Sequence, residues 1–152
     1  MMQKRLERYF DEGHRHEDLI VEALDALEPH LPIHSYDALG SLERFALNAL
    51  IFRFSKLQDL LGAKIFRIYL EYNGFTVQER SFFELLKEIE KEGIVDIDIW
   101  NELRQLRNQV AHDYPAEIDE VIESINLFID KTGTLLEIFH VLEAKYHALA
   151  RT

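Results

Sequence analysis

Apolar residues recur at intervals of three and four along most of the chain, which is the spacing of one face of an α-helix. The first such segment runs from about Gln3 to Glu28. Its apolar stripe consists of Leu6, Phe10, Ile20, Leu24 and Leu27. Pro29 and Pro32 follow, and proline cannot continue a helix interior. We therefore predict a first helix over this segment.

The second segment, from about Leu39 to Tyr72, has apolar positions on more than one side. They are Leu42, Phe45, Ala46, Ala49, Phe52, Leu57, Leu60, Leu61, Phe66 and Leu70. Such a helix packs on several sides, as in a bundle core or an oligomer interface. Gly62 interrupts the pattern, at a cost of roughly 1 kcal/mol relative to alanine. Asn73-Gly74 is a predicted C-terminal cap.

A capping box, Ser81-Phe82-Phe83-Glu84, starts a short third helix that reaches about Lys91, with Gly93 as its cap. One face of this helix is apolar: Phe82, Leu85, Leu86 and Ile89.

The fourth helix is predicted to start near Asp96 or Asp98, because aspartate is a good N-cap. Its inner stripe is Trp100, Leu103, Leu106 or Arg107, and Val110. Tyr114-Pro115 ends it, because proline disfavours helical geometry in the preceding residue.

A fifth helix is predicted from Pro115 to about Leu149, since proline suits the first turn of a helix. Its core face is Ile118, Val121, Ile122, Ile125, Phe128 and Ile129. Thr132-Gly133-Thr134 is a predicted weak point. Together these segments predict an all-α fold, an up-and-down bundle of four to five helices, in a single domain over residues 1–152.

The composition of the chain excludes several classes of protein. The chain has no cysteine, which excludes disulfide and thiol chemistry, and its net charge is −11. An acidic chain lacks the basic excess of a general nucleic-acid binder, so any contact with nucleic acid would be local. The N-terminal segment has no apolar core of signal-peptide length, and no run approaches a membrane span. We expect a soluble, cytoplasmic protein that makes no membrane contact.

Four histidines look like candidate metal ligands. His14 and His16, two apart on a helix, point about 200° apart and cannot share an ion there, so their segment is interpreted as a solvated polar turn. His140 and His147 could share a face, but nothing beside them completes a ligand set. We interpret them as surface or packing residues and predict neither a metal nor a cofactor.

Three cations lie on the second helix: Arg44, Arg53 and Lys56. Arg44 and Arg53 are nine residues apart and point to opposite sides. Arg53 stands between two phenylalanines. It is either a snorkelling side chain with a salt-bridge partner or a secondary contact to an anionic ligand.

The richest polar cluster, LRNQVAHDYP, lies at the predicted end of the fourth helix. The spacing between Arg107 and His112 is weak evidence by itself. When Asn108 directly after the arginine and Tyr114 two residues after the histidine are also required, the number of such motifs expected by chance in the chain falls to roughly one in a thousand. The cluster is therefore the candidate site.

These residue types suit proton transfer next to a bound phosphate group. Histidine titrates near neutral pH and can transfer protons, while arginine stays cationic and offers a donor fork to phosphate oxygens. On a straight helix, Arg107 and His112 point about 140° apart. A dimer cleft is thus the natural way to gather two copies of each.

The string LRNQVAHDY resembles the R-x4-H-x-Y signature of HEPN-domain proteins, specifically the small toxins paired with minimal nucleotidyltransferases. The resemblance extends in pattern to a five-helix layout over about residues 1–145. It implies a HEPN-like bundle that forms a homodimer, with two motifs facing each other across a cleft, and that cleaves RNA without a metal ion.

By the same resemblance, Arg107 and His112 would be the catalytic pair. Asn108, the polar residue after the arginine, and Asp113 would support them. A cognate nucleotidyltransferase antitoxin would silence the toxin by attaching AMP to Tyr114.

Two other interpretations stay open. The chain could be a non-catalytic nucleotide- or substrate-binding subunit that partners a nucleotidyltransferase, with its acidic surface docking a basic partner. It could also be a plain structural bundle, in which Arg107 forms a salt bridge, His112 caps the helix and Tyr114 packs.

Overall fold

The chain folds into a bundle of helices in the computed structural model, which describes residues 1–114, 116 and 118–151, except for the side chain of Asp113. The helices are α1 (Met2–Leu27), α2 (Ser41–Leu60), α3 (Phe66–Tyr72), α4 (Phe82–Lys91), α5 (Ile97–Asp113) and α6 (Ile122–Ala150). The described residues contain no strand, so the all-α prediction is confirmed. No helix among them is long and apolar enough to cross a membrane.

Side-chain caps set the helix starts where the sequence predicted them. The Ser81 hydroxyl accepts a hydrogen bond from the backbone N–H of Glu84 at 3.2 Å and begins α4. Asp96, rather than Asp98, caps α5, because its Oδ1 accepts from the N–H groups of Asp98 and Ile99. These bonds satisfy donors that a helix start leaves unpaired.

The predicted glycine caps are confirmed as well. Gly74 and Gly93 have φ angles of +87° and +75°, in the left-handed region that glycine enters without steric cost. They follow the ends of α3 and α4 and turn the chain out of each helix.

Side-chain contacts give the directions of the helices. Tyr146 of α6 contacts Glu7 and Phe10 near the start of α1, whereas Glu143 of α6 contacts His14 farther along α1. Residue numbers along α1 therefore increase in the direction in which those along α6 decrease, so the two helices are antiparallel.

The helix α2 is also antiparallel to α1, since Arg53 pairs with His16 and Lys64 lies over Tyr9. The helix α5 runs antiparallel to the long α2–α3 unit in turn, because Asp59 meets Arg107 and Phe66 meets Trp100.

Aromatic side chains fill the centre of the bundle. Phe54 and Phe128 pack with ring centroids 4.4 Å apart, and Phe66 packs against Trp100 at 5.0 Å. All four side chains are at most 1% exposed. Aromatic pairs at these separations add to the hydrophobic contribution of each ring.

One π-helical turn, Leu61–Ile65, joins α2 to α3 without a break in the helix. It contains Gly62, where the sequence predicted an interruption. A Cβ at this position would stand 3.1 Å from Cζ2 of Trp100, so the missing side chain lets the indole approach the backbone. Single π turns inside α-helices occur often at functional sites.

Three sequence predictions about local structure are wrong. The segment from Gly13 to Asp18 lies within α1, as the predicted first helix requires, but it is not fully solvated, because Gly13 is buried against the ring of Phe139 and His16 is 8% exposed. Thr132-Gly133-Thr134 is not a weak point, since the Thr132 hydroxyl donates to the Phe128 carbonyl at 3.0 Å inside a continuous α6.

The start of the last helix is the third error. The helix α6 begins at Ile122 after a 3-10 turn, Ile118–Glu120. Ile118 and Val121 are both buried, and the Val121 N–H donates to the Ile118 carbonyl at 3.1 Å. Residues three apart, such as Ile118 and Val121, lie directly on the same side of a 3-10 turn, whereas in an α-helix they are offset. Pro115, the predicted start, lies outside the described residues.

Candidate functional site

Arg107 lies near the end of α5 and is held against α2. Its Nη1 and Nη2 atoms donate to Oδ1 and Oδ2 of Asp59, each at 3.2 Å. A two-bond fork of this kind fixes the plane of the guanidinium. The arginine side chain is 23% exposed and the aspartate 57%, so the pair lies at the surface. Such a pair contributes about 0–1 kcal/mol, which leaves the arginine available to an anionic ligand.

His112 occupies the last turn of α5 and is exposed. It makes no hydrogen bond or ion pair with any residue that the structure describes. With Arg107, Asn108, Gln109 and Ala111 it lines a shallow, open depression, hereafter the Arg107–His112 depression. The catalytic candidates thus share one surface, but a single chain does not join them directly.

Tyr114 ends α5 with an extended backbone, φ −80° and ψ 139°, as expected of a residue before proline. Its ring meets that of Tyr36 edge-on at 6.1 Å. The hydroxyl is buried and faces Tyr36 and Asn48, although it forms no hydrogen bond of ordinary geometry with either. Burial, and then the neighbouring Tyr36, raise the pKa of Tyr114 well above its usual value. The candidate modification site is therefore closed in this conformation.

One further prediction, the supporting role of Asp113, concerns a side chain outside the described set. Asp119 and Glu120 are exposed in the 3-10 turn before α6.

A second concavity, hereafter the Trp100 cleft, also has Arg107 in its lining. It has a volume of about 360 Å³. Its lining residues come from α2, the π turn, α4 and α5: Gln58, Asp59, Gly62, Ala63, Phe82, Trp100, Arg104 and Arg107. Arg107 lines both this cleft and the Arg107–His112 depression.

Unpartnered polar atoms distinguish the Trp100 cleft. Gln58 is 2% exposed, yet its Oε1 and Nε2 atoms have no hydrogen-bond partner. Trp100 is 1% exposed, and its indole Nε1 is also unpartnered. A buried polar group without a partner costs about 1–3 kcal/mol. Groups of this kind call for an explanation in terms of a ligand or a function.

Sequence reasoning missed Gln58, Asp59 and Arg104. A signal for Gln58 was present, because it is polar and lies four residues after Phe54 and three before Leu61, on the core face. Asp59 had no such signal, since it meets Arg107 across 48 positions of sequence.

Arg53 has a different partner from the one expected. Its Nη1 lies 3.2 Å from Nδ1 of His16, and its guanidinium lies over the Phe52 ring at 5.1 Å. No carboxylate among the described residues forms a salt bridge with it. Burial, and then the charge of Arg53, lower the pKa of His16. The prediction of a salt-bridge partner is therefore wrong.

The remaining candidate histidines form a row with two glutamates between α1 and α6. His14 contacts Glu143 at 2.7 Å and Glu17 at 3.1 Å, while His140 contacts Glu17 and His147 contacts Glu143. Burial opposes protonation of His14, but the two carboxylates together raise its pKa. No group of side chains in the described part of the chain has the arrangement of a metal site.

Comparisons with known proteins add no relative to this picture. No family model matches the sequence, and no match is found among the curated proteins or the solved structures. The resemblance to HEPN toxins therefore depends on the motif and the helical layout alone.

Proposed function

We propose that the chain is the toxin of a HEPN toxin–antitoxin pair, an endoribonuclease neutralised by a minimal nucleotidyltransferase. The observation that carries the proposal is the shared surface at the end of α5. Arg107, Asn108 and His112 line one open depression, and the arginine is held there by its fork to Asp59. An open surface of this kind admits a polynucleotide, which a closed pocket would exclude.

In the proposed reaction, His112 takes the proton from a ribose 2′-hydroxyl, whose oxygen attacks the adjacent phosphorus. The bond from phosphorus to the 5′-oxygen breaks as a proton is delivered to that oxygen. The products are a 2′,3′-cyclic phosphate and a free 5′-hydroxyl. Arg107 stabilises the charge that accumulates on the phosphoryl oxygens. No metal ion or cofactor enters this scheme.

A second copy of the chain would complete the site. Within one chain, no hydrogen bond joins His112 to Arg107 among the described residues. The cleavage needs both a proton acceptor and a proton donor, and each chain supplies one histidine at this surface. Two copies that face each other across the Arg107–His112 depression would supply both roles.

The nucleotidyltransferase would silence the toxin at Tyr114. The tyrosine oxygen would attack the α-phosphorus of ATP, lose its proton and displace pyrophosphate. Because this hydroxyl is buried beside Tyr36, the reaction requires that the Tyr36–Tyr114 contact opens. The attached phosphate would then place negative charge beside the Arg107–His112 depression and repel RNA.

The test is RNA cleavage by the wild type and by His112→Ala, with His34→Ala as a matched control. His34 is an exposed histidine in the loop after α1. We expect loss of at least a hundredfold in rate for His112→Ala and no change for His34→Ala. Equal cleavage by wild type and His112→Ala would overturn the proposal, as would absence of cleavage in protein free of AMP.

A second candidate function is a non-catalytic nucleotide-binding subunit of a nucleotidyltransferase. The charge of −11 and the engagement of Arg107 by Asp59 favour it, because both weaken attraction for an RNA backbone. Co-expression with a nucleotidyltransferase separates the two functions. A mass increase of one AMP that is absent from Tyr114→Phe supports the toxin, whereas a stable complex without toxicity or modification supports the binding subunit.

A further inference from the structure

The Trp100 cleft has the chemistry of a recognition site that is not yet assigned a role. Two of its lining residues, Trp100 and Gln58, are almost completely buried, and Arg107 also lines it. Ligand sites in proteins commonly have volumes of ~300–1,000 Å³, with apolar walls and a few polar groups. At about 360 Å³, the cleft is at the small end of that range and fits a single flat ring system.

The polar groups of the cleft match the edge of a nucleobase. The Gln58 amide offers one acceptor and two donors side by side, and none of them has a partner. Every nucleobase has a donor and an acceptor next to each other on its edge, and side-chain amides pair with bases through two such bonds. The indole Nε1 of Trp100 supplies one further free donor.

The walls of the cleft suit an aromatic ligand. Trp100 and Phe82 line it with ring centroids 6.4 Å apart. Unstacked bases of single-stranded RNA are commonly held against aromatic side chains. The π turn contributes Gly62 and Ala63, which leave this wall without bulky side chains.

The rim supplies cations for a phosphate. Arg104 and Arg107 both line the cleft on one side. Arg104 is exposed and forms no ion pair with any residue that the structure describes. Arg107 also lines the Arg107–His112 depression. A base in the cleft would therefore have its backbone phosphate at the surface where cleavage is proposed.

From these observations we infer that the Trp100 cleft binds one unstacked base of the RNA strand, next to the phosphate held by Arg107. Gln58 and Trp100 are 2% and 1% exposed in the free protein, so the base must displace neighbouring side chains of the cleft before Gln58 reads its edge and Trp100 packs against it. This inference rests on the proposed function, for which it supplies the base that sets the cleavage position. Asp59 keeps Arg107 oriented until the phosphate arrives.

Trp100 is the only tryptophan of the chain, so its fluorescence reports on the cleft directly. The experiment titrates the wild type with the four nucleoside 3′-monophosphates, ribose 5-phosphate and a 2′-O-methyl hexanucleotide that cannot be cleaved. We expect saturable quenching by at least one mononucleotide, none by ribose 5-phosphate, and at least tenfold tighter binding of the hexanucleotide. Equal binding of hexanucleotide and mononucleotide would overturn an RNA ligand, and quenching by ribose 5-phosphate would overturn base recognition.

Two variants locate the binding. Gln58→Met removes the amide at nearly constant volume, and Ala63→Phe fills the cleft from an exposed position. Each is expected to weaken nucleotide binding at least tenfold. Their controls are Gln105→Met and Ala148→Phe, at exposed positions of α5 and α6 that do not line the cleft. Unchanged binding by both Gln58→Met and Ala63→Phe would refute the inference.

Binding and cleavage are measured separately, so the two proposals can fail separately. Quenching that depends on Gln58, in a protein that cleaves no RNA, supports the base site and rejects the endoribonuclease. Cleavage that depends on His112, without quenching and without any effect of Gln58→Met on the KM for RNA, rejects the base site and leaves the endoribonuclease standing.

Discussion

Gln58→Met is expected to stabilise the free protein, although it removes a polar side chain from the core of a site. Both polar atoms of the Gln58 amide are buried without partners, and the side chain is 2% exposed. Leaving such a group unpaired costs about 1–3 kcal/mol, which the substitution recovers. Methionine has a similar volume, and volume-conserving changes in a core cost less than ~1.5 kcal/mol. The expected net gain is about 1–2 kcal/mol.

Urea denaturation followed by far-ultraviolet circular dichroism measures this gain. The midpoint should rise while the slope with denaturant stays the same, because the surface exposed on unfolding is unchanged. In a thermal scan, each kcal/mol raises the Tm of a chain of this size by about 2–4 °C. Gln105→Met, at an exposed position, should change stability by less than ~0.5 kcal/mol. A loss of 1 kcal/mol or more in Gln58→Met would refute the reasoning, since it would mean that the amide is hydrogen-bonded in the free protein.

The remaining predictions concern packing and pH. Gly13→Ala should destabilise by about 1–3 kcal/mol, because its Cβ would stand 2.5 Å from ring atoms of Phe139. Gly133→Ala should instead stabilise by about 0.5–1 kcal/mol in the same urea assay, because no described residue outside its own helical turn comes within 4 Å of the new Cβ; equal effects would contradict the packing argument. The raised pKa of His14 means that the folded state binds the imidazole proton more tightly than the unfolded state does. Protonated His14 therefore stabilises the fold fully below pH 6.5, and this stabilisation is lost as the pH rises through the folded-state pKa. Wild type should therefore be more stable than His14→Gln by about 0.5 kcal/mol in mildly acidic buffer; the difference is small because the side chain is 43% exposed. A stability difference that grows toward pH 8 would contradict the predicted direction of the pH dependence.

Most of the helical layout could be predicted from the sequence because local chemistry determines it. Apolar spacing located five helical segments, and the caps at Ser81, Asp96 and Gly93 are short-range devices. The errors arose where a tertiary contact decides the local structure. Gly13 is buried rather than solvated because the ring of Phe139 covers it, and the last helix starts late because Ile118 is drawn into the core.

The candidate site divides in the same way. Arg107 and His112 were found because they lie close together in a short motif. The residue that holds Arg107, Asp59, comes from another helix, and no local pattern indicates that pairing. The cleft depends on the packing of four elements, although Gln58 on an apolar face was a signal that periodicity alone could have found.

The π turn at Leu61–Ile65 has a consequence for the evolution of this chain by insertion and deletion. In a regular α-helix, one additional residue rotates everything after it by about 100°. A π turn holds the additional residue within one wider turn, so the helices on both sides of it keep their orientation. Phe54 can therefore pack against Phe128, and Phe66 against Trp100, on either side of Leu61–Ile65. Deletion of one residue within this turn should restore a regular α-helix and leave both aromatic pairs in place.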